Sequence, residues 1–216
     1  MAKKATSGGG AKAASKTDDA ATTAKTTATA AASTPTPEPI RGNIDVGLGY
    51  LIVWHVGERG GPSSGTFLPV VLMAAFDRLD HYQSTPFKCD ENAAAMTALK
   101  DAVDMLAYIF KIEENQCLPM SAHFLAMGKP AGGVSSGFGL TIVWQNGPLV
   151  DESGKRIEPN GAFVETIIGV VVDRINATME DHAAKPILNQ ITVALDALKS
   201  RTKQREKRGV EGTHEV

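Results

Sequence analysis

A short apolar run begins the foldable part of the chain. In residues 48–54, Tyr50, Ile52 and Trp54 would face one side of a strand and Leu51 and Val53 the other, and β-branched and aromatic side chains dominate, which predicts a strand. Apolar residues then recur at helical spacing from Phe67 to Tyr82, which predicts a first helix. A second helix is predicted over 91–110, with Asp90 as its N-cap. The Gly-rich segment 55–64 between strand and first helix is predicted to be a loop.

The same order of elements returns later in the chain. A strand is predicted over Leu140–Trp144 and a helix over 162–179. The last helix is predicted over 185–208, with Pro186 in its first turn, where a proline costs little. Gly209 is a suitable residue for ending that helix. The predicted order of elements, a strand followed by two helices, therefore occurs twice along the chain.

An internal duplication explains this recurrence. Three short motifs reappear in the same order, at an offset that grows from 90 to 96 residues. They are Gly47-Leu-Gly-Tyr-Leu-Ile-Val-Trp54 with Gly137-Phe-Gly-Leu-Thr-Ile-Val-Trp144, Gly65-Thr-Phe67 with Gly161-Ala-Phe163, and Asp77-Arg-Leu79 with Asp173-Arg-Ile175.

Composition divides the chain into four parts. Residues 1–42 are rich in Ala, Thr, Lys and Pro and carry no aromatic residue, which predicts a disordered tail. Repeat unit one covers 43–117, a Gly/Ser-rich connector covers 118–136, and repeat unit two covers 137–216. The predicted fold class is α+β. Each unit supplies a β-hairpin or strand and a two-helix hairpin, with the helices on one side of an antiparallel sheet.

Charge and cysteine content exclude several classes of function. The net charge of −2 argues against a DNA-binding protein, and no apolar run is long enough to cross a membrane. Two cysteines, Cys89 and Cys117, provide neither a disulfide framework nor a four-ligand metal set, which favours a reducing cytoplasm. The five histidines show no metal spacing and no nucleophile motif is visible. We therefore expect no enzyme, no catalytic residue, no metal and no cofactor.

The last helix carries a face that changes from apolar to cationic. Two interpretations are open: the helix leaves the core there and its arginines are solvated, or Arg201 and Arg205 face an anion. Guanidinium groups suit phosphate because their paired donors match its oxygens. The face consists of Ile187, Ile191, Ala194, Leu198, Arg201 and Arg205.

Each unit lacks what the other carries. At an offset of 92 residues, unit one has Ile109 and Glu113 in place of the two arginines. Unit one instead has Tyr82 and Asn92, an aromatic ring that can stack on a base and an amide that can read a base edge. Structural roles in the core or in a helix turn are the alternative for both. The matching positions of unit two are Thr178 and Ala184.

Two motifs resemble one phage protein family. They are Tyr82-Gln-Ser-Thr-Pro-Phe-Lys-Cys-Asp-Glu-Asn92 and Arg201-Thr-Lys-Gln-Arg205-Glu-Lys-Arg208-Gly-Val-Glu-Gly-Thr-His214. Both are similar to motifs of the first-described Thoeris anti-defence sponge proteins, which are related to the anti-CBASS sponges through a shared helical hairpin. In that family the two motifs follow one another, whereas here they stand in different units.

The resemblance implies a non-enzymatic sponge in the host cytoplasm. Family members hold cyclic ADP-ribose isomers, and some hold cyclic di- or trinucleotides, in pockets formed where subunits meet. By motif position, Tyr82 and Asn92 would face the base, and Arg201 and Arg205 would face the phosphates. The expected partner is a small cyclic nucleotide, with no DNA, no membrane, and self-association between units or as a homo-oligomer.

The division of residues leads to the main hypothesis. The two units form a pseudo-dimer with one composite pocket, while the mirror pocket is inactive. The alternative is a phage structural or interaction protein whose pocket has degenerated.

Overall fold

The computed structural model describes residues 43–57, 64–151, 153–213 and 215, with the side chain of residue 114 left aside. The predicted disordered tail, residues 1–42, lies outside the described residues, as does the middle of the predicted loop, residues 58–63. The described residues from 43 onward belong to one compact unit.

The described residues form an α+β fold with a five-stranded antiparallel sheet and four helices, which confirms the predicted class. The order of strands across the sheet is β1-β2-β5-β4-β3. The strands are β1 (Ile44–Gly47), β2 (Tyr50–Val53), β3 (Met120–Ala126), β4 (Lys129–Gly137) and β5 (Leu140–Trp144). The helices are α1 (Leu68–Gln83), α2 (Asp90–Phe110), α3 (Val164–Thr178) and α4 (Asp181–Arg208), with a 3₁₀ turn at Glu114–Gln116.

The segment 118–136 differs most from its prediction. The sequence predicts a Gly/Ser-rich connecting loop, but the segment contains β3 and nearly all of β4, which pair as an antiparallel hairpin. Small residues are used there for close approach: a Cβ at Gly133 would lie 2.6 Å from the carbonyl oxygen of Ala122. Gly and Ser therefore indicated tight packing in a strand here, not a flexible connection.

The repeated Gly-x-Gly motif forms hairpin turns. The strand predicted over 48–54 begins only at Tyr50, because Leu48 and Gly49 make the turn between β1 and β2. Gly49 has a φ of +79°, and the corresponding Gly139 has a φ of +72°. A Cβ at Gly139 would also stand 2.5 Å from the carbonyl oxygen of Val53. Glycine is required at these turns for both conformation and space.

Helix boundaries follow the predictions, with two corrections. Asp90 is the first residue of α2, not its N-cap; Cys89 holds that position without a side-chain cap. Asp90 still lies in the first turn, where a carboxylate interacts favourably with the helix dipole. Helix α4 begins four residues earlier than predicted, at Asp181, so Pro186 lies inside it. Gly209 ends α4 in the left-handed conformation, as predicted.

One face of the sheet is buried beneath the helices and the other is exposed. In β5, Leu140, Ile142 and Trp144 are buried, whereas Thr141 and Val143 are exposed. The central pairing joins β2 to β5. The predicted apolar helix faces are also buried, which is worth roughly 1.5–3 kcal/mol for each large aliphatic side chain. These faces are Ala95, Leu99, Ala102 and Leu106 of α2 and Ile187, Ile191, Ala194 and Leu198 of α4.

Candidate ligand-binding cavity

The C-terminal end of α4 meets the N-terminal end of α2. Arg201 donates from Nη1 to Oδ1 of Asn92 at 2.9 Å, although the two residues are 109 positions apart. The turn between α1 and α2, which follows Tyr82, therefore lies beside the cationic end of α4. The fold brings together the two regions that the sequence separates.

A cavity of about 420 Å³ opens at this junction. All four residues singled out in the sequence, Tyr82, Asn92, Arg201 and Arg205, border it. Its walls come from the α1–α2 turn, the end of α4, the loop after β5 and the C-terminal segment. The other bordering residues are Arg78, Phe87, Lys88, Cys89, Glu91, Pro130, Gln145, Gly147, Pro148, Leu149, Phe163, Gln204, Arg208, Glu211, Gly212 and Thr213.

Arg201 is held between the two halves of the chain. Besides Asn92, it contacts Glu165 near the start of α3 through a 2.8 Å ion pair from Nη2. Its side chain remains 20 % exposed. A phosphate in the cavity could approach this exposed part, or replace the Glu165 carboxylate.

The Arg205 side chain binds the C-terminal segment that follows α4. Its Nε donates to the carboxylate of Glu211 at 3.0 Å, and its Nη2 donates to the carbonyl oxygens of Val210 and Thr213 at 2.8 and 3.0 Å. The guanidinium also lies over the ring of Phe87, 5.3 Å from its centroid. Arg205 thus organises a wall of the cavity.

The same wall is anchored from the other side. The carbonyl oxygen of Gly212 accepts hydrogen bonds from the backbone N–H groups of Leu149 and Val150, at 2.6 and 3.1 Å. The Gly-Val-Glu-Gly-Thr part of the C-terminal motif is therefore tied both to the end of α4 and to the loop after β5.

Asn92 is almost fully buried, with 1 % of its surface exposed. Its Nδ2 donates to the carbonyl oxygen of Phe87 at 3.1 Å, and its Oδ1 accepts from Arg201. Both ends of the amide thus have partners in the protein, and Asn92 fixes the α1–α2 turn. Reading a base edge, as the sequence suggested, would require one of these hydrogen bonds to be exchanged.

Tyr82 presents a half-buried ring to the cavity. Its hydroxyl accepts a 3.2 Å hydrogen bond from Nε of Arg78, and the Arg78 guanidinium lies 4.8 Å from the centre of the ring. The arginine orients the ring through this hydrogen bond and through cation–π attraction.

Several bordering residues were not identified as site residues from the sequence. The most important is Arg78, which the repeated Asp-Arg-Leu motif had already marked without indicating a role. Lys88 and Arg208 are exposed at the edge of the cavity and form no ion pair with another residue that the structure describes. Cationic residues bordering the cavity outnumber the acidic ones, Glu91 and Glu211, by five to two. The cavity is electropositive in a chain of net charge −2.

The thiol of Cys89 also borders the cavity. Burial raises its pKa, an effect larger than the opposing influence of the Asn92 backbone N–H. The neutral thiol is favoured, so Cys89 has the character of a packed side chain, not of a nucleophile.

The positions that match the four site residues in the other unit, Thr178, Ala184, Ile109 and Glu113, form no comparable arrangement. Ala184 is buried, Thr178 donates its hydroxyl hydrogen bond back to the carbonyl oxygen of Arg174, and Glu113 is exposed. A second cavity of about 640 Å³ lies along α2 and includes Ile109, but it does not include the other three positions.

Comparison with protein-family models, with curated proteins and with solved structures found no match.

Among the described residues, no helix has the length and apolar character needed to cross a membrane. The described part of the chain likewise contains no group of three or more His, Cys, Asp or Glu side chains arranged for a metal ion.

Proposed function

We propose that this protein is a phage anti-defence sponge that sequesters a cyclic nucleotide of host immunity, a cyclic ADP-ribose isomer or a cyclic oligonucleotide, without cleaving it. One observation carries the proposal: a single cavity combines Tyr82 and Asn92 with Arg201 and Arg205. The sponge resemblance assigns ligand contacts to these four residue types, and they come from distant parts of the chain.

Size and charge of the cavity support a nucleotide-sized anion. A volume of about 420 Å³ falls within the range of small-molecule sites. The ring of Tyr82 offers a stacking surface for a base, and Arg201 offers a partly exposed guanidinium for a phosphate. Asn92 and Arg205 act by positioning the turn and the C-terminal wall. This differs from the direct contacts that the resemblance implies for them.

The two-repeat architecture belongs to this proposal. Residues related by the 90-residue offset occupy corresponding places where β2 pairs with β5: Leu51 pairs with its own counterpart, Thr141. The hydrogen bonds beside them also correspond, since Val53 N–H donates to Gly139 at 2.7 Å and Val143 N–H donates to Gly49 at 2.6 Å. We infer a fused pseudo-dimer with one composite pocket, which predicts one ligand per chain.

A heat-release experiment tests the proposed function. Purified protein is mixed with cyclic ADP-ribose isomers and cyclic di- and trinucleotides, filtered and heated, and the released ligand is identified by mass spectrometry. Intact ligand at one equivalent per chain is the expected result. Degraded ligand would indicate an enzyme, and no retained ligand would contradict the proposal.

A phage structural or interaction protein is the second candidate. The observation that favours it is the exposed apolar surface of the β3–β4 hairpin, where Met120, Phe124 and Met127 are 74, 54 and 101 % exposed. Exposed apolar clusters of this kind are typical of interaction surfaces. The same heat-release experiment separates the two candidates, because this one predicts no retained nucleotide.

A further inference from the structure

Arg78 is a buried cation at the base of the cavity. Only 1 % of its surface is exposed, yet it borders the cavity beside Tyr82. Its Nη1 donates to the carbonyl oxygen of Gly132 at 2.6 Å, and its Nη2 donates to that of Gln145 at 3.3 Å. The side chain therefore connects α1 to the strands and loop that form the opposite wall.

All these partners are neutral. Besides the two carbonyl oxygens, Arg78 contacts the Tyr82 hydroxyl and lies 3.5 Å from Nδ1 of His123. It forms no ion pair with any residue that the structure describes. Buried charges in proteins are normally paired, because the loss of hydration is otherwise uncompensated. Arg78 lacks the anion that its burial calls for.

The corresponding arginine in the second half shows what is missing. Arg174 lies over Trp54, with 5.5 Å between Cζ and the ring centre, as Arg78 lies over Trp144 at 5.9 Å. Burial lowers the pKa of Arg174, and the negative charge of Asp45 opposes that shift. Asp45 also accepts the Nε1 hydrogen bond of Trp54. Arg174 thus has an acidic neighbour within the protein.

In the Arg78–Trp144 pair, Ser135 occupies the position that Asp45 occupies in the Arg174–Trp54 pair. At the 90-residue offset it corresponds to Asp45, and it accepts the Nε1 hydrogen bond of Trp144 at 2.9 Å, just as Asp45 does for Trp54. Ser135 is fully buried. The acceptor of the tryptophan Nε1–H is therefore a carboxylate in one arginine–tryptophan pair and a hydroxyl in the other, and the arginine of the latter pair, Arg78, borders the cavity.

We propose that the ligand supplies the missing negative charge, so that Arg78 is the electrostatic anchor for a phosphate or diphosphate group in the cavity. The inference concerns the cavity of the proposed function and rests on that cavity holding a ligand. It adds a phosphate-binding residue outside the two sequence motifs.

A carboxylate exchange tests this anchor. Ser135→Asp introduces beside Arg78 the acid that Arg174 has, and Asp45→Ser is the matched control in the other half. Inorganic pyrophosphate and ADP-ribose are titrated by calorimetry, with circular dichroism to verify folding. We expect Ser135→Asp to weaken pyrophosphate binding by about tenfold or more, because the internal carboxylate competes with the ligand. Asp45→Ser should bind like the unmodified chain.

Undiminished binding by a folded Ser135→Asp variant would overturn the inference. If that variant does not fold, Arg78→Gln replaces it, since Gln keeps hydrogen-bonding capacity without the charge, and the same loss is required. Retention of cyclic nucleotides without pyrophosphate binding would refute the anchor and leave the proposed function intact. Pyrophosphate binding that depends on Arg78, without retention of cyclic nucleotides, would support the anchor and refute the sponge.

Discussion

The C-terminal ends of α2 and α4 share a scaffold and differ in chemistry. Each helix buries an apolar face of the same spacing, but Ile109, which follows that face in α2, still packs against the core. At the end of α4 the next two positions are Arg201 and Arg205, which contact Asn92 and the C-terminal segment. At the end of α2 the same positions hold Ile109 and Glu113. The buried faces of the two helices are alike, while the residues that follow them are cationic only in α4.

The largest effect is expected from substitutions in the buried apolar faces that α2 and α4 have in common. Leu198→Ala and Leu106→Ala each delete a fully buried side chain at equivalent places in α4 and α2. We expect each variant to lower the free energy of unfolding by about 2–5 kcal/mol, because a cavity replaces close packing. Chemical denaturation measures both. A loss confined to one helix would show that the two faces are not equivalent.

Arg201→Gln tests the part that differs. Gln keeps a hydrogen-bond donor for Asn92 but loses the charge and the ion pair with Glu165. We expect cyclic-nucleotide binding to weaken by about 100-fold, since a charge-assisted, partly buried phosphate contact is lost. Calorimetry measures the affinity, and Ile109→Val is the control at the end of α2. Unchanged affinity in Arg201→Gln would remove this residue from the site.

Sequence patterns predicted the elements in which buried positions must be apolar. The faces ending at Leu106 and Leu198 were predictable because one side of each helix must be apolar. The hairpin β3–β4 was not, because the glycines that permit close strand approach at Gly133 also occur in flexible loops.

The sequence predicted which residues border the cavity better than it predicted what each of them contacts. The arginines of α4 were visible as a break in periodicity, but the sequence cannot tell a guanidinium that faces a ligand from one that binds a carbonyl oxygen nearby. Arg205 does the latter. Arg78 was missed because its significance depends on its burial among neutral partners, and the sequence does not show which side chains and carbonyl oxygens surround it.

Arg205→Gln sharpens the distinction between contact and positioning. It removes the hydrogen bonds from the Arg205 side chain to the carbonyl oxygens of Val210 and Thr213. We expect faster amide hydrogen exchange over 209–213 and an affinity loss of about tenfold, smaller than for Arg201→Gln, because the wall loosens while the phosphate contact remains. Glu113→Gln is the control at the end of α2. Lost affinity with unchanged exchange would assign Arg205 to the ligand itself.

The smallest expected effect is a dependence of stability on pH that originates beside Arg78. Burial, together with the positive charges of Arg78 and His81, lowers the pKa of His123 to about 4. Burial and Arg78 also lower the pKa of His81, which stacks on His123 with ring centres 5.0 Å apart. The folded state therefore favours neutral imidazoles, whereas the unfolded chain binds protons near the ordinary histidine pKa of about 6.5.

Between pH about 6.5 and about 4, the unfolded state carries more protons than the folded state, so the free energy of unfolding falls as the pH drops through this window. The His123 side chain is partly exposed to solvent screening, so we expect a loss of about 1 kcal/mol, well below the full linkage value. Denaturation of the unmodified chain and of His123→Gln at a series of pH values measures it. The variant should show a flatter profile in this window, because the proton-binding difference contributed by His123 is gone. Identical profiles would show that the imidazole beside Arg78 does not contribute.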